Sequence, residues 1–500
     1  MKDYLLGIDI GSSGMKLALA RTDGEIVASA TGSYSTYYPR QGWAEQNPND
    51  WWLAICQQIR PLLKNAGIKA GDIGAIGVDG YSWAAVAMGK RGQVLCNTPL
   101  WYDTRATEEC ECIRKQLGEE QVFDLCGNPV HPNYSLPKVL WYKKHLPKVM
   151  QGMRTILQTN SFIVYRLTGE LTQDVSQAYG YHCFDIRQGT WNLDMMEKLG
   201  VDPQWLPDIS PSSQVVGTVS AAAAGETGLY PGTPVVAGGL DAACGTLGAG
   251  VLHQGQTQEQ GGQAGGVSIC TDEYVPAKNM ILGRHVVPGR WLVQGGTVGG
   301  GGIMRWLAGI LKPPGEDADS SEYFAQMDQW AGQVPAGADG LIFLPYMAGE
   351  RSPIWDENAK GVFFGLDYSK NRGHFIRASL EGAAFALKHN IEAAGAASSA
   401  IEEMRSVGGA AKSRIWMQIK ADVIGTPIRS AGGDLGTAVG ALILAGVGAG
   451  FLPSFDNACE RFVRLGPVYY PNATKKARYA ADYDRYLLLY TQLKELMRGC

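Results

Sequence analysis

The segment at the start of the chain constrains the fold more than any other part. Residues 4–20 read YLLGIDIGSSGMKLALA, an apolar run to Ile10, a glycine and serine turn and then an alternating run. This pattern predicts a strand, a tight turn and a second strand, and Ile26–Ala30 predicts a third. A Rossmann fold would place a helix after its first strand, so the opening predicts an antiparallel meander instead.

Composition narrows the class of protein. A chain of 500 residues predicts at least two domains, and a 45% hydrophobic fraction excludes a disordered chain. The net charge is −4, which disfavours nucleic acid and anionic membrane surfaces as partners. With no apolar run of about 18 residues and no signal-peptide pattern at the N-terminus, we expect a cytoplasmic protein with ten reduced cysteines.

Periodicity and turn residues divide the chain further. Helices are predicted at 47–64, 240–248, 381–397, 413–424 and 479–497, and strands at 73–79, 85–88 and 235–239. A second glycine-broken hairpin begins near residue 252 and runs to Ile269, which repeats the layout of the first half. We therefore place a domain boundary there, with one domain at 1–251 and the other at 252–500.

The first glycine turn, Asp9–Gly14, is a candidate anion site. Its backbone N–H groups and hydroxyls suit a phosphate, and an aspartate at a strand end suits hydrated Mg²⁺. Lys16 either reaches back to the phosphates or is solvated, and a plain hairpin turn remains the alternative.

Further glycine turns occur at the ends of predicted elements. Gly238-Gly239-Leu240-Asp241 follows an apolar strand and opens a small-residue helix, where the acid either caps the helix or faces a ligand. The turns at 299–302 and 407–413 also lead into helices. Four such turns indicate loops that converge on one polyphosphate, although neither a P-loop nor a protein-kinase motif set is present.

The combination of motifs resembles the FGGY carbohydrate kinases, particularly the xylulokinase-like members. The stretches that carry the resemblance include LLGIDIGSSGMK, PLWYDTRA, YRLTGELTQDVSQA, VVAGGLDAACGTLGAG, FLPYMAGERSPIWDENAKGVFFGL and VGGAAKSRIWMQIKADVIGTPI, in family order over about residues 4–450. The resemblance implies an α/β fold of two ribonuclease-H-like domains, of the actin and sugar-kinase type, that flank a central cleft. It also implies ATP-dependent phosphorylation of a sugar hydroxyl.

The resemblance implies a role for each matching residue. Asp241 aligns with the catalytic aspartate and Asp9 with the acid that helps to hold Mg²⁺. The residues that align with nucleotide- and phosphate-binding positions are Ser12, Ser13, Gly14, Gly301, Arg305, Gly409 and Ser413, and Lys16 and Gly262 are further candidates for these contacts. The family usually has Gly-Thr-Ser where this chain reads Gly261-Gly262-Gln263, so Gln263 or backbone N–H groups would substitute for the threonine.

The sugar side is predicted from two segments. Xylulokinases carry a Met-His pair in the loop that reads Gly80-Tyr81-Ser82-Trp83 here, so Ser82 and Trp83 are candidate substrate residues. Trp83 either stacks on the sugar or fills the core. Asp103 either binds sugar hydroxyls, as the family implies, or forms a structural pair with Arg105.

The function expected from the sequence is an ATP- and Mg²⁺-dependent kinase of a small sugar, a ketose such as xylulose or ribulose, or a polyol. Asp241 would be the general base and would also contact the substrate. The alternatives are an actin-like ATP-binding protein and a degenerate sugar sensor. The expected partner is the sugar, with no nucleic acid or membrane, and a homodimer is the assembly that the resemblance suggests.

Overall fold

The computed structural model describes residues 3–313, 317–433 and 435–499. The strands are β1 Tyr4–Ile10, β2 Gly14–Arg21, β3 Ile26–Ser33, β4 Glu45–Gln46, β5 Ile73–Gly80, β6 Val86–Gly89, β7 Thr98–Pro99, β8 Met153–Leu157, β9 Gln173–Asp174, β10 Phe184–Asp185, β11 Thr190–Trp191, β12 Ile209–Ser210, β13 Val215–Thr218, β14 Pro234–Val236, β15 Gly239–Leu240, β16 Gln256–Gly261, β17 Gly265–Thr271, β18 Ile281–Arg284, β19 Trp291–Thr297, β20 Ile342–Leu344, β21 Val362–Phe364, β22 Glu403–Val407, β23 Ile428–Ala431 and β24 Leu465–Tyr469.

Helices occur in both halves of the chain. The helices are α1 Pro48–Ala66, α2 Thr107–Leu117, α3 Glu119–Cys126, α4 Ser135–His145, α5 Pro147–Gly152, α6 Thr159–Thr168, α7 Leu193–Leu199, α8 Ala221–Thr227, α9 Asp241–Gly248, α10 Gly301–Leu311, α11 Ser321–Gly332, α12 Arg372–Ala393, α13 Arg414–Ile424, α14 Gly436–Gly448, α15 Phe455–Phe462 and α16 Lys476–Met497.

The chain forms two compact units. Unit 1 comprises Met1–Leu252, Leu282–Trp291 and Leu435–Val463, and unit 2 comprises His253–Ile281, Leu292–Asp434 and Arg464–Cys500. The chain first passes from unit 1 to unit 2 after Leu252, next to the boundary predicted after residue 251. Two later segments return to unit 1, so the region 252–500 does not form one continuous unit.

The sheet of unit 1 starts with the predicted meander. Strands β1, β2 and β3 are antiparallel, β5 lies parallel to β1 on its other side, and β14 continues the sheet parallel to β5. Strands β1 and β5 are almost entirely buried, as expected for strands covered on both faces. Helix α1 begins after Asn47, whose side chain accepts a hydrogen bond from Asn49 N, and it buries Trp51 and Trp52.

Helix α14 packs on this sheet with backbone-to-backbone contact. A side chain at Gly7 on β1 or at Gly77 on β5 would collide with carbonyl oxygens of α14, and one at Gly440 would collide with the carbonyl of Cys244 on α9. Glycine is required at these positions because the helix and the strands approach so closely. These contacts explain why residues 435–463 belong to unit 1.

Unit 2 repeats the same arrangement of strands. Its sheet contains β19, β17, β16, β22, β23 and β24 in that order, with β16 antiparallel to β17, and β22 and β23 parallel to β16. Helices α12 and α13 contribute buried apolar residues to its core, including Leu380, Phe385 and Trp416. Both sheets have the ribonuclease-H-like strand order, which confirms the predicted fold class.

Candidate functional site

The carboxyl ends of three neighbouring strands in unit 1 carry one aspartate each. Asp9 on β1 lies opposite Asp79 on β5 in the parallel register, and Gly239 on β15 also pairs with Asp79. Asp241 follows two residues later as the first residue of α9. We refer to Asp9, Asp79 and Asp241 as the acidic centre. Parallel strands bring their carboxyl ends to one edge of the sheet, which is where ligands bind in open α/β folds.

Burial shifts the pKa of each carboxyl in the acidic centre. Burial raises the pKa of Asp9, although a hydrogen bond from Thr437 Oγ1 to Asp9 Oδ2 at 2.6 Å opposes the shift. Burial, then the charge of Asp9, raises the pKa of Asp79 well above its ordinary value. The same two causes raise the pKa of Asp241 to about 7. The charge of Asp9 therefore disfavours the anionic forms of Asp79 and Asp241, and a bound cation would relieve that repulsion.

Asp241 is less constrained than the other two acids. Its carboxylate accepts a hydrogen bond from the backbone N–H of Ala242 at 2.6 Å, and the residue is partly exposed. Asp9 and Asp79 are buried, at 6% and 0% exposure. Asp241 is thus the one of the three residues that is not fully buried, and a carboxyl with a raised pKa is suited to proton transfer.

Hydrogen bonds to its carbonyl groups stabilise the turn between β1 and β2. Gly11 N donates to Gly14 O at 3.0 Å, the Tyr34 hydroxyl donates to Gly11 O, and Gln46 Nε2 donates to Ser12 O at 2.8 Å. Ser13 is exposed at the tip of the turn. The carbonyl oxygens of Gly11, Ser12 and Gly14 therefore accept hydrogen bonds from within the protein.

Lys16 adds a positive charge beside this turn. It lies on β2 opposite Asp9 in the antiparallel register, and its charge lowers the pKa of both Asp9 and Asp79 against the larger effect of burial. The structure thus brings together Ser12, Ser13, Gly14 and Lys16, which the sequence predicts for phosphate binding.

Three glycine loops converge in unit 2. Gly301 N donates to Gly262 O at 2.7 Å, and Gly302 N donates to Gln263 O at 3.0 Å. Gly408 has a φ of 89°, and a Cβ there would lie 2.8 Å from Gly261 O. Only glycine allows this approach of backbone to backbone. The loops at 261–266, 299–302 and 407–413 therefore meet within this unit. The predicted convergence of four turns on one polyphosphate also involves Asp9–Gly14 and Gly238–Asp241 of unit 1, and it stays a prediction.

The other predicted nucleotide residues lie on these loops. Arg305 on α10 donates to Gln263 Oε1 at 3.0 Å, so the residue that replaces the family's serine links two of the loops. A Cβ at Gly409 would meet no atom within 4 Å. Ser413 caps α13 by accepting from Trp416 N, and its hydroxyl donates to Asp328 at 2.9 Å. The local geometry of Ser413 is that of a helix cap, and its nucleotide role stays a prediction.

A buried ion pair supports the hairpin of unit 2. Lys420 Nζ lies 2.7 Å from Glu259 Oε1, both side chains are 1% exposed, and the Ser406 hydroxyl donates to the other Glu259 oxygen. Glu259 on β16 precedes Gly261 by two residues, and a Cβ at Gly261 would lie 3.2 Å from its carboxylate. The pair fixes the base of the loop that contains Gly262.

The predicted sugar loop follows β5 directly. Trp83 has a φ of 62°, a conformation that is uncommon for a bulky side chain. Its ring packs on Tyr134 with centroids 4.3 Å apart and is 7% exposed, whereas Ser82 is partly exposed. The structure therefore places Trp83 mainly in the core, and the roles of Ser82 and Trp83 toward sugar stay predictions.

Lys138 anchors this loop. Its ammonium donates to the carbonyls of Trp83, Leu100 and Asn133 at 2.9, 2.8 and 2.7 Å, and the residue is fully buried. Burial lowers the pKa of Lys138 to about 7, and the charge of Asp103 opposes this shift. Lys138 thereby links three segments of unit 1 by hydrogen bonds. These bonds stabilise the uncommon backbone conformation at Trp83.

Asp103 is completely buried, and its carboxylate is occupied by four donors. Oδ2 accepts from Ala44 N at 2.7 Å and from the Arg105 guanidinium at 2.8 Å. Oδ1 accepts from Arg105 N and Nε at 3.0 and 2.9 Å. The geometry supports the alternative interpretation of a structural pair with Arg105, and a direct contact with sugar stays a prediction.

Sequence reasoning missed one member of the acidic centre, Asp79, and one residue that supports it, Thr437. Asp79 ends a buried strand just as Asp9 does, in VDG and IDIG, so the repeated pattern is a signal that could have identified it. Thr437 has no such signal because 428 residues separate it from Asp9 in the chain. Only the return of α14 to unit 1 brings the two side chains together.

The acidic centre fits a cation that is held mainly by its other ligands. Neither oxygen of Asp79 accepts a hydrogen bond from the part of the chain that the structure describes, although both are buried. Over residues 3–313, 317–433 and 435–499, no group of three or more His, Cys, Asp and Glu side chains could hold a metal ion, so a cation here would rest on fewer carboxylates. Mg²⁺ commonly takes one or two carboxylates together with phosphate and water, so the donor set fits that ion.

The fold and the site together define a class of protein. The structure of xylulose kinase from Rhodospirillum rubrum superimposes with a TM-score of 0.91 at 32% identity, covering 99% of this chain and 100% of the other. Gluconate kinase from Lactobacillus acidophilus gives a TM-score of 0.89 at 25% identity, with 98% of each chain covered. The chain therefore has the two-domain fold of the sugar kinases.

The sequence comparisons identify the family. The models of the FGGY family of carbohydrate kinases match at residues 4–248 for the N-terminal domain and 265–449 for the C-terminal domain. Xylulose kinase from Bacillus subtilis is 31% identical over 498 residues, which cover 99% of this chain and 98% of the relative. The chain belongs to the FGGY family of carbohydrate kinases, and it is a phosphotransferase that uses an alcohol group as acceptor.

The remaining predictions concern the cellular location, the assembly and the redox state of the cysteines. No helix within the described ranges is both long and apolar enough to cross a bilayer. The cysteines that the structure describes are free thiols, and most are buried. The cytoplasmic location and the homodimer stay predictions.

Proposed function

We propose that this carbohydrate kinase transfers the γ-phosphoryl group of ATP to a hydroxyl of a ketose or polyol, with Asp241 as general base. The observation that carries the proposal is the position of Asp241 beside Asp9 and Asp79 at the carboxyl edge of the sheet, where burial and the charge of Asp9 raise its pKa to about 7. A base with a pKa close to the working pH combines adequate basicity with a useful ionised fraction. Asp241 would take the hydroxyl proton as the oxygen attacks phosphorus.

The remaining residues would bind and neutralise the donor. The backbone N–H groups and hydroxyls of Ser12, Ser13 and Gly14, together with Lys16, would contact phosphate oxygens. In unit 2, the loops at Gly262, Gly301 and Gly409, with Arg305, would bind the nucleotide. Asp9, with Asp79 beside it, would hold Mg²⁺, which supplies charge neutralisation on the phosphates.

The sugar class follows from the family and from the loop after β5. Relatives include xylulose kinase from Bacillus subtilis and gluconokinase from Bacillus licheniformis, the latter 26% identical over 511 residues. Both names denote acceptors that are short, open-chain polyhydroxylated molecules. The partly exposed Ser82 supplies a hydroxyl that fits such an acceptor. We propose a ketopentose as the first substrate to test.

Measurement of ADP release with a panel of acceptors tests this function. We expect sugar-dependent ADP release, matched by sugar phosphate, with at least one of D-xylulose, L-xylulose, D-ribulose, L-ribulose and xylitol, with gluconate and glycerol as comparison acceptors. Chelation of Mg²⁺ should abolish the release. ATP hydrolysis that ignores every sugar would support an actin-like ATPase, and sugar binding without turnover would support a sensor. Either result would overturn the proposal.

The variant Gly409→Arg tests the nucleotide loops. Because a side chain at Gly409 would enter open space, the variant should fold normally. The arginine would fill the space beside the loops, so we expect Mg·ADP affinity to fall about tenfold or more in calorimetry. Gly225→Arg is the matched control, since Gly225 is an exposed glycine of α8 in unit 1 and also has open space. Equal affinity in the two variants would remove Gly409 from the nucleotide site.

A further inference from the structure

Asp174 is the centre of a buried hydrogen-bond cluster that the proposed mechanism does not use. It ends β9 and is fully buried. Its Oδ1 accepts from Asn160 Nδ2 at 2.8 Å, and its Oδ2 accepts from the backbone N–H groups of Ser176 and Gln177 at 2.9 and 3.2 Å. The Ser176 hydroxyl also donates to Oδ2. We call Asn160, Asp174, Ser176 and Gln177 the Asp174 cluster.

Ser176 connects the cluster to the proposed base. Because its hydroxyl proton is committed to Asp174, its oxygen is left as an acceptor, and it accepts from Leu240 N at 2.9 Å. Leu240 is the residue immediately before Asp241 and the N-cap of α9. Its backbone N–H is buried at the turn from strand to helix, where it needs an acceptor. The Ser176 hydroxyl supplies that acceptor and so fixes the turn.

The rest of the cluster holds the neighbouring strand ends. Asn160 Nδ2 donates to Ala237 O at 3.2 Å, just before the Gly238-Gly239 turn. Gln177 Nε2 donates to Gly80 O at 3.2 Å, at the start of the predicted sugar loop. All four cluster residues are fully buried. The cluster therefore sets the backbone of two segments that lead to the acidic centre and the sugar loop.

We propose that Ser176, held by Asp174, is a positioning residue that fixes the orientation of Asp241 toward the sugar hydroxyl. The inference rests on the proposed role of Asp241 as base. A general base must lie within hydrogen-bond reach of the proton that it takes, and a shift of about 1 Å can reduce turnover by up to about 10²-fold. The effect of Ser176 should therefore appear in the chemical step more than in ligand binding.

The variant Ser176→Ala removes the hydroxyl and leaves Leu240 N–H without its acceptor. We expect kcat to fall about tenfold, with the sugar KM and the Mg·ADP affinity within about twofold of wild type. Ser210→Ala is the matched control. Ser210 lies on β12 opposite Asp174 and is buried. Its hydroxyl accepts from Thr172 at 2.9 Å, and in the described part of the chain it forms no hydrogen bond with residues 237–241. This control should lower thermal stability by a similar amount and leave kcat unchanged. Ser176→Thr, which keeps the hydroxyl, should restore turnover.

A double-mutant cycle with Asp241→Asn separates positioning from general destabilisation. If Ser176 acts through Asp241, adding Ser176→Ala to Asp241→Asn should cause no further loss of the residual turnover. The same fractional loss in both backgrounds, or equal kcat losses in Ser176→Ala and Ser210→Ala, would overturn the inference. Full turnover in Asp241→Asn alone would instead overturn the proposed function, so the two failures are distinguishable.

Discussion

The Asp241→Asn enzyme is expected to lose about 10²-fold or more in kcat while Mg·ADP still binds. The amide has nearly the shape of the carboxylate, and its oxygen can still accept the hydrogen bond from Ala242 N. Folding should therefore survive the change. The amide cannot take a proton from the attacking hydroxyl, so only the chemical step should be impaired.

Steady-state kinetics, calorimetry with Mg·ADP and a thermal melt are the measurements for this variant. Asp194→Asn is the control, because Asp194 also lies in the first turn of a helix, α7, but is exposed and pairs with Lys198. It should behave as wild type. Normal turnover in Asp241→Asn, or a lowered melting temperature with loss of both binding and turnover, would show that Asp241 has a structural role.

The Asp103→Ala variant is expected to reduce the free energy of unfolding by about 3–5 kcal/mol, since it leaves a buried cation without its main partner. The Arg105 side chain is 4% exposed, and among the described residues it would keep Glu45, at 3.0 Å, as its anionic partner. The backbone N–H groups of Ala44 and Arg105 would lose their acceptors as well. Thermal and denaturant unfolding of the purified variant give the measurement.

Sugar kinetics decide between the two roles considered for Asp103. A variant that melts like wild type, with a strongly raised sugar KM and unchanged ATP affinity, would identify Asp103 as a substrate residue. Asp72→Ala is a useful control, because Asp72 caps a single turn near the surface and its loss should cost little. We expect the loss of stability to dominate in Asp103→Ala.

The elements with strong local signals were predictable from sequence. The opening meander, α1, α9, α13 and α16 occur within a few residues of the predicted bounds. Helix α12 begins at Arg372, nine residues before the prediction, because Asn371 caps it by accepting from Gly373 N. The predicted strand at 235–239 is split into β14 and β15, since Gly238 has a φ of 78° and breaks the strand.

The candidate site was predictable only in part. Asp9 and Asp241 stand beside glycine turns, and the motifs around them are distinctive in the sequence itself. Asp79 lacks a glycine-serine turn, and only the likeness of VDG to IDIG at the end of β1 points to it. Thr437 acquires its partner through tertiary packing, so no local pattern identifies it. The Asp103 carboxylate faces Arg105 and backbone N–H groups instead of open space. Only side-chain geometry distinguishes such a structural carboxylate from one that faces a ligand.

The return of α14 to unit 1 has a consequence for biosynthesis. A ribosome that adds about 5–20 residues per second needs roughly 20–90 s to pass from Asp9 to Thr437, which lie 428 residues apart. During that interval β1 and β5 are complete, but the glycine-lined face that α14 covers has no helix to pack on it. The sheet of unit 1 therefore cannot acquire its full covering, nor Asp9 its hydrogen bond from Thr437, until a segment translated near the end of the chain has been made.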